Sequence, residues 1–319
     1  MVLDRVALTG ASGMVGQHVL SLLYARGISC IACSRNRPTE LFPSATWESW
    51  DLLDCKSLDE MDAFFKGAQA FLHIGAKVPV TPTIVDANQE RLMFEINVRS
   101  CLTIGRWSLE REIPVVFLSS ASVYDNPDRA LIEESDPKGF NVLGGFYGLS
   151  KWLAEQIFEF YRRQGLRLII LRPSSIYGSG LHETKMIATM LRKATDGQVI
   201  EIKPPLEDRF HLIHADDVAN AMLRSLEKEA WGVFNIDGAK AYAIAEIAQA
   251  CIDVTGCGKL KLPTGRQGHG AQERFGLLCD KACDQFAFQP AVDLHQGLRE
   301  MLRAQPRTHV GEENQSEKS

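Results

Sequence analysis

Tyr147 and Lys151, in the run Tyr147-Gly148-Leu149-Ser150-Lys151, stand four residues apart. On a helix that spacing stacks two side chains on one face, about one turn from each other. A phenol beside an ammonium suits general acid–base chemistry on a carbonyl or an alcohol. The ordinary phenol pKa, near ~10, makes tyrosine a poor base at neutral pH. A neighbouring positive charge favours the phenolate and lowers that value. Such a pair is common by itself, so its surroundings carry the argument. Upstream, the apolar run Val115–Leu118 ends in Ser119-Ser120-Ala121-Ser122-Val123-Tyr124. In doubly wound sheets ligands sit beyond the carboxyl ends of the strands. Ser120 is then placed to hydrogen-bond the oxygen that Tyr147 protonates, whereas Ser119 and Ser122 fit a plain serine-rich turn equally well.

The chain's first apolar run, Arg5–Leu8, leads into Thr9-Gly10-Ala11-Ser12-Gly13-Met14-Val15-Gly16, followed by a helical pattern over Val15–Arg26. Glycines spaced three apart at Gly10, Gly13 and Gly16 allow a tight turn, a close backbone approach to a ligand, and close packing of helix on strand. The helix N-terminus presents free N–H groups and a partial positive charge to a pyrophosphate. A dinucleotide is therefore expected against Gly10, Ser12, Gly13, Met14 and Val15. The second strand-like run, Ile28–Cys33, ends in Ser34-Arg35-Asn36-Arg37 with no acid to accept from a ribose 2′-OH. Two guanidiniums and a hydroxyl suit a 2′-phosphate instead. The expected cofactor is NADP(H) in preference to NAD(H), with Arg35 the leading contact and Arg37 the second.

The elements that must position these groups alternate. Strand-like runs at Val6–Leu8, Ile28–Cys33, Ala70–Ile74, Val115–Ser119 and Leu168–Leu171 are separated by helical patterns at Val15–Arg26, Leu58–Phe65, Gln89–Leu109 and Lys151–Gln164. That order predicts an α/β fold, a doubly wound parallel sheet with right-handed crossovers. After about residue 175 the texture changes. A helix is expected over His182–Ala194, a strand over Gln198–Ile202, a break at Pro204-Pro205, a strand at Gly232–Ile236, and helices near Ala245–Thr255 and Leu294–Leu302. The predicted organisation is a dinucleotide-binding domain over 1–175 with interleaved segments near 205–240. A smaller substrate-binding lobe occupies most of 176–304, and the polar tail over 305–319 is expected to be disordered.

Five further segments follow in order: Trp50-Asp51-Leu52-Leu53-Asp54, His73-Ile74-Gly75-Ala76, Ile96-Asn97-Val98, Leu171-Arg172-Pro173-Ser174-Ser175-Ile176-Tyr177-Gly178 and His214-Ala215-Asp216-Asp217-Val218-Ala219. With the glycine loop and the Tyr–Lys pair, this set resembles the short-chain dehydrogenase/reductases. The likeness is to their extended branch of nucleotide-sugar epimerases, dehydratases and ketoreductases, from about residue 4 to 255. The resemblance implies that Tyr147 is the catalytic acid/base and that Ser120 orients the reacting oxygen. Lys151 binds the nicotinamide ribose and lowers the tyrosine pKa. It implies that Asp51 and Leu52 flank the adenine and that the backbone of Gly75 and Ala76 lines the cofactor. Asn97 takes the place of the structural asparagine, and Pro173 and Ser175 lie by the nicotinamide. Hydride would move to or from nicotinamide C4.

Two positions depart from the family pattern. Its usual asparagine after strand six corresponds to Ser175. Its arginine before the His-x-x-Asp segment corresponds to Phe210, with Arg209 one residue upstream. On an extended stretch such a shift turns a side chain to the other face. The substrate candidates are Ser120, Ser175, Arg209 and Lys77, the last set to meet an anion or to lie on the surface. The leading expectation is a cytoplasmic reductase of a keto group on a nucleotide-linked deoxysugar. The alternatives are an epimerase or dehydratase that retains its cofactor, or a reductase of a non-nucleotide carbonyl. A non-enzymatic dinucleotide sensor is disfavoured by the intact Ser120, Tyr147 and Lys151. Specificity is expected in loops around Val78–Asp86, Asn126–Gly145 and Pro204–Arg209. The resemblance also implies a homodimer through a helix bundle containing the tyrosine helix.

The 319 residues are 45% hydrophobic and 24% charged with a net charge of −5, which argues against a nucleic-acid partner. No run approaches the ~18–20 apolar residues a membrane helix needs, and the start in strand one is expected to leave no room for a signal peptide. Among eight cysteines, Cys30 and Cys33 form a C-x-x-C without a second pair, and buried reduced thiols are expected. His18, His182, His269 and His295 show no ligand spacing and are assigned to the surface or to helix packing, so no metal is expected. Trp47 and Trp50 fit strand packing.

Overall fold

The computed structural model describes residues 1–54, 56–79, 86–126, 131–140, 144–203, 206, 208–263 and 273–304. Cys55, the Pro204-Pro205 break, His269, the tail from Gln305 and parts of the three expected specificity loops lie outside the described residues. The first half runs β1 (Arg5–Thr9), α1 (Met14–Ala25), β2 (Ser29–Ser34), β3 (Ala45–Ser49), α2 (Leu58–Phe64), β4 (Phe71–His73), α3 (Ala87–Phe94), α4 (Ser100–Glu110), β5 (Val115–Leu118), α5 (Gly145–Arg162) and β6 (Leu168–Pro173). The second half runs β7 (Ser175–Tyr177), α6 (Met186–Thr195), β8 (Val199–Glu201), β9 (Arg209–His214), α7 (Ala215–Glu227), β10 (Gly232–Ile236), β11 (Ala241–Ala243), α8 (Ile244–Thr255), β12 (Lys259–Lys261), β13 (Glu273–Arg274), α9 (Asp280–Phe286) and α10 (Leu294–Ala304).

The central sheet has seven strands in the order β10-β6-β5-β4-β1-β2-β3, every pair parallel. Strand alternation sends side chains to two separate cores. Val6, Leu8, Cys30, Leu72, Val116 and Ile169 join one with α1 and α7. Ala7, Ile31, Cys33, Phe71, Phe117 and Ile170 join the other, with Trp107 and Phe158. Cys30 and Cys33 thus point to opposite faces and stay free thiols, with burial pushing Cys30 up to about 12. Chain order reverses between β1 and β4, and their carboxyl ends open the crevice in which α/β sheets bind ligands.

The remaining strands form a sheet of β11, β9 and β13 with β7 on β9, and a β8–β12 pair. A third apolar core, around Leu191, Ile247 and Leu298, belongs to this part of the chain. The segment expected as one helix over 89–109 is interrupted by a π-helical turn, Glu95–Arg99. The helix expected from His182 starts at Met186, because the His182 ring is bonded to Thr184 across a turn and Lys185 is extended. Strands β3, β7, β9, β11, β12 and β13 and helices α7 and α9 are not predicted as elements; several are short, and periodicity over so few residues is ambiguous.

Candidate active site

The glycine loop turns at Gly10, whose φ is +74°. A Cβ there would lie 2.8 Å from Gly75 Cα, so the ends of β1 and β4 touch backbone to backbone. A Cβ on Gly16 would stand 2.2 Å from Gly10 O, so only glycine lets α1 lie against the loop. No side chain caps α1 and its first turn holds no acid. Its leading N–H groups therefore remain for an anion. Gly13 and Met14 sit at that terminus with Ser12 exposed and Val15 buried. Leu52 presses on Gly75, and Asp51 holds its own loop by accepting from Leu53 N at 3.0 Å. Arg35 and Arg37 are both exposed at the end of β2. The Ser34 hydroxyl is already committed, donating to Asn36 O at 2.7 Å, so the anion contacts expected there reduce to the two arginines. These groups fit a dinucleotide on the crevice.

Ser120, Tyr147 and Lys151 come together at the carboxyl end of β5. Gly148 is the packing device: a Cβ on it would meet Ser122 O at 2.3 Å. Its absence lets α5 press on the 3-10 turn Ala121–Val123, and Tyr147 hydrogen-bonds Ser120. The Ser120 Oγ also accepts from Ser122 N at 3.2 Å and Ser122 Oγ at 2.8 Å. Burial pushes the Tyr147 phenol up to about 12, and the Ser120 bond draws it down. The lowered phenol expected from the Lys151 charge is therefore not what the chain's own groups produce, because desolvation dominates. Lys151 is 2% exposed, its Nζ 4.4 Å over the Phe117 ring. Burial lowers the ammonium to about 8, against the pull of Cys101 and Glu155.

Asn97 sits inside the π-helical turn and ties two parts of the site. Its Oδ1 accepts from Lys77 N at 2.7 Å, and its Nδ2 donates to Lys77 O at 3.0 Å and Ser150 Oγ at 2.9 Å. π-turns often mark functional sites; here the bulge turns one side chain toward both β4's extension and α5. Gly75 N donates to Thr9 Oγ1 at 3.2 Å, and that hydroxyl contacts His73 Nδ1 at 2.7 Å. For Lys77 the structure shows a backbone role, its side chain half-buried.

The other substrate candidates lie beside the four-stranded sheet. Pro173 is buried, and Ser175 is exposed on β7. Arg209 Nη2 donates to Ala241 O at 2.8 Å and lies 3.6 Å from Glu246, while Phe210 packs into the third core. The one-residue shift therefore packs the half-buried phenylalanine against the third core and commits Arg209 to β11 and α8.

The chain matches the description "NAD dependent epimerase/dehydratase family" over residues 6–237. It belongs to that family. Members are NAD(P)-dependent enzymes, and this chain is one. A dTDP-4-dehydro-6-deoxy-D-allose reductase of Streptomyces bikiniensis is 29% identical over 93% of this chain and 95% of its own length. A putative UDP-glucose 4-epimerase of Methanocaldococcus jannaschii is 25% identical over 93% of this chain and 97% of its own. The fold is shared with a UDP-glucose 4-epimerase from Thermotoga maritima, solved with UDP-glucose (TM-score 0.78, 20% identity, 94% of this chain and 98% of that one). It is shared too with a dTDP-glucose 4,6-dehydratase from Streptomyces venezuelae, solved with NAD (TM-score 0.78, 21% identity, 94% and 96%).

Sequence reasoning missed three features of this family member's site. The Gly148 contact and the Glu155–Arg172 pair behind α5 had no signal beyond their motifs. His18, assigned to the surface or to helix packing, does lie where α1 packs on α7, 7% exposed; what the sequence did not signal is its polar partners, Asp216 Oδ1 at 2.6 Å and Ser179 O at 3.3 Å. It lies with His214 and Asp216, their ligand atoms within 4.8 Å. An oxygen on each ring nitrogen is the pattern of an imidazolium donating twice. Burial would lower the His18 pKa, but Asp216, Glu300 and the Ser179 carbonyl raise it overall.

Proposed function

We propose that this protein is an NADP(H)-preferring reductase of a keto group, at C4, on a nucleotide-linked deoxysugar. The observation that carries the reading is the Tyr147 phenol hydrogen-bonded to Ser120 at the carboxyl end of β5, one helical turn from Lys151. A phenol with its pKa raised to about 12 is a donor at neutral pH, suited to protonating the oxygen of a carbonyl being reduced. The bound nicotinamide supplies the hydride. Ser120 orients the oxygen, Tyr147 gives the proton, and Lys151 holds the ribose. Arg35 and Arg37, with no acid between them, support the 2′-phosphate form. The long match to a dTDP-sugar reductase supports the substrate class.

The test is purified protein with a dTDP-4-dehydro-6-deoxy sugar and NADPH. The expected result is NADPH loss in proportion to product. Turnover with no net change in NADPH absorbance would instead assign an epimerase or dehydratase, which the family match also accommodates. Exposed Phe94, Leu102 and Phe160 on α3, α4 and α5 support a homodimer through these helices, checked by light scattering. Buried free thiols support a cytoplasmic setting.

A further inference from the structure

Behind the tyrosine helix lies a polar cluster that the acid–base chemistry does not itself use. Tyr147, Lys151 and Glu155 are successive fourth residues of α5 and share one face. The Glu155 carboxylate, 2% exposed, accepts from Ser119 Oγ at 2.5 Å, Arg172 Nε at 2.9 Å and Arg172 Nη2 at 2.7 Å. Arg172 Nη1 donates to Tyr124 OH at 2.9 Å, which donates to Asn235 Oδ1 at 2.6 Å. Each partner stands next to a site segment: Ser119 precedes Ser120, Arg172 precedes Pro173, and Tyr124 closes the turn beyond Ser122. A buried ion pair contributes little net stability, so its value here is sought in what it positions.

We infer that Glu155 is a positioning residue: clamped by Arg172 and Ser119, it is the fixed counter-charge that keeps Lys151 an ammonium and holds the β5 end against the tyrosine helix. The groups facing Lys151 leave no other candidate among the described residues. His73 of β4 is pushed down to about 3 by burial and by the Lys151 charge, so it is neutral. Cys101 of α4 can pull on the Lys151 ammonium only as a thiolate, and burial pushes its thiol up to about 12, so that pull is absent at working pH. Tyr147 is a neutral phenol over the same range. Between about pH 6 and 10, Lys151 is therefore the group in this pocket that titrates, and Glu155 the anion that opposes its deprotonation.

This inference rests on the assignment of Lys151 to the nicotinamide ribose, and its test separates the two. NADPH binding is followed by its fluorescence from about pH 6 to 10 in the full chain and in Lys151→Met, Glu155→Gln and Glu155→Met/Arg172→Met. The wild-type affinity is expected to weaken as the pH passes about 8. In Glu155→Gln that midpoint should fall by about one pH unit, so that binding near pH 8 weakens several-fold. If the single variant does not fold, the paired one leaves no buried charge alone and should still lower the midpoint, by less than Glu155→Gln because the Arg172 cation is removed together with the nearer anion. An unmoved midpoint in a folded variant overturns the inference. If Lys151→Met binds NADPH as wild type does, the ribose assignment itself falls. In Ser119→Ala, turnover of a dTDP-4-dehydro-6-deoxy sugar should drop about ten-fold with NADPH affinity unchanged. Wild-type turnover there removes the claim on the β5 end.

Discussion

At the carboxyl edge of the central sheet the polar groups are buried or half-buried and committed to one another; beside the four-stranded sheet Arg209 is committed elsewhere and Ser175 is exposed. Ser120, Tyr147, Asn97 and Lys151 are joined by hydrogen bonds or burial to segments that cannot move independently. Arg209 is occupied by Ala241 and Glu246, and Ser175 stands exposed. The difference teaches where this protein has freedom. The hydride and proton chemistry proposed for it rests on close backbone packing, whereas the residues proposed to meet the rest of the substrate lie in a region whose side chains can be exchanged cheaply.

The sharpest way to break the comparison is Tyr147→Phe. It should lower kcat by about 10³-fold or more while NADPH affinity stays within about two-fold; stopped-flow turnover and fluorescence titration read the two quantities. Gly16→Ala comes next. Its Cβ would meet Gly10 O at 2.2 Å and Ala11 Cα at 2.8 Å, both backbone atoms, so a loss of about 2–3 kcal/mol is expected by chemical denaturation. Unchanged stability would mean the loop is not the rigid partner described. Arg35→Glu should cut the preference for NADPH over NADH by about 10- to 100-fold, the range of one charge-assisted contact. Equal Michaelis constants for the two cofactors in wild type would remove the basis for that expectation.

At the seam between the regions, His18 of α1 pairs with Asp216 of α7. Its raised pKa means that protonation favours the folded state. The stability it adds is fully present below the unfolded value near ~6.5 and is lost as the pH rises through the raised folded value. His18→Gln should therefore cost about 1 kcal/mol or less at pH near ~6, since Asp216 is partly exposed to solvent. The gap in Tm from wild type should narrow toward pH ~9. The smallest effect is expected of Arg209→Ala, less than about three-fold in the KM of a nucleotide-sugar substrate. A rise above ten-fold would show that Arg209 leaves Glu246 to bind a diphosphate, and the four-stranded sheet would then belong with the committed half.

Much of the carboxyl edge was legible because it is local. A strand, three glycines and a helix start within a dozen residues declare an anion site, and a Tyr–Lys spacing of one turn declares a shared face. The burial of Cys30 and Cys33 in an apolar strand was legible for the same reason. What was not legible depends on distant partners. The π-turn that aims Asn97 is set by Lys77 and Ser150, and His18 finds Asp216 from nearly 200 positions away in the chain. The Arg172–Glu155 pair needs β6 beside α5. In the second region the elements are short, and a one-residue offset at Arg209 decided which side chain packed against the apolar core.

The sequence by itself determined the parallel sheet, the glycine loop beneath a helix and the shared helix face of the proposed acid–base pair, because backbone conformation and side-chain periodicity act over a few residues. Only the tertiary structure decided the states of those residues. Burial raises Tyr147 and lowers Lys151, Gly148 brings the phenol to Ser120, and a clamp of Glu155 with Arg172 sits behind them, since desolvation and Coulomb interaction depend on what the fold places within a few ångströms.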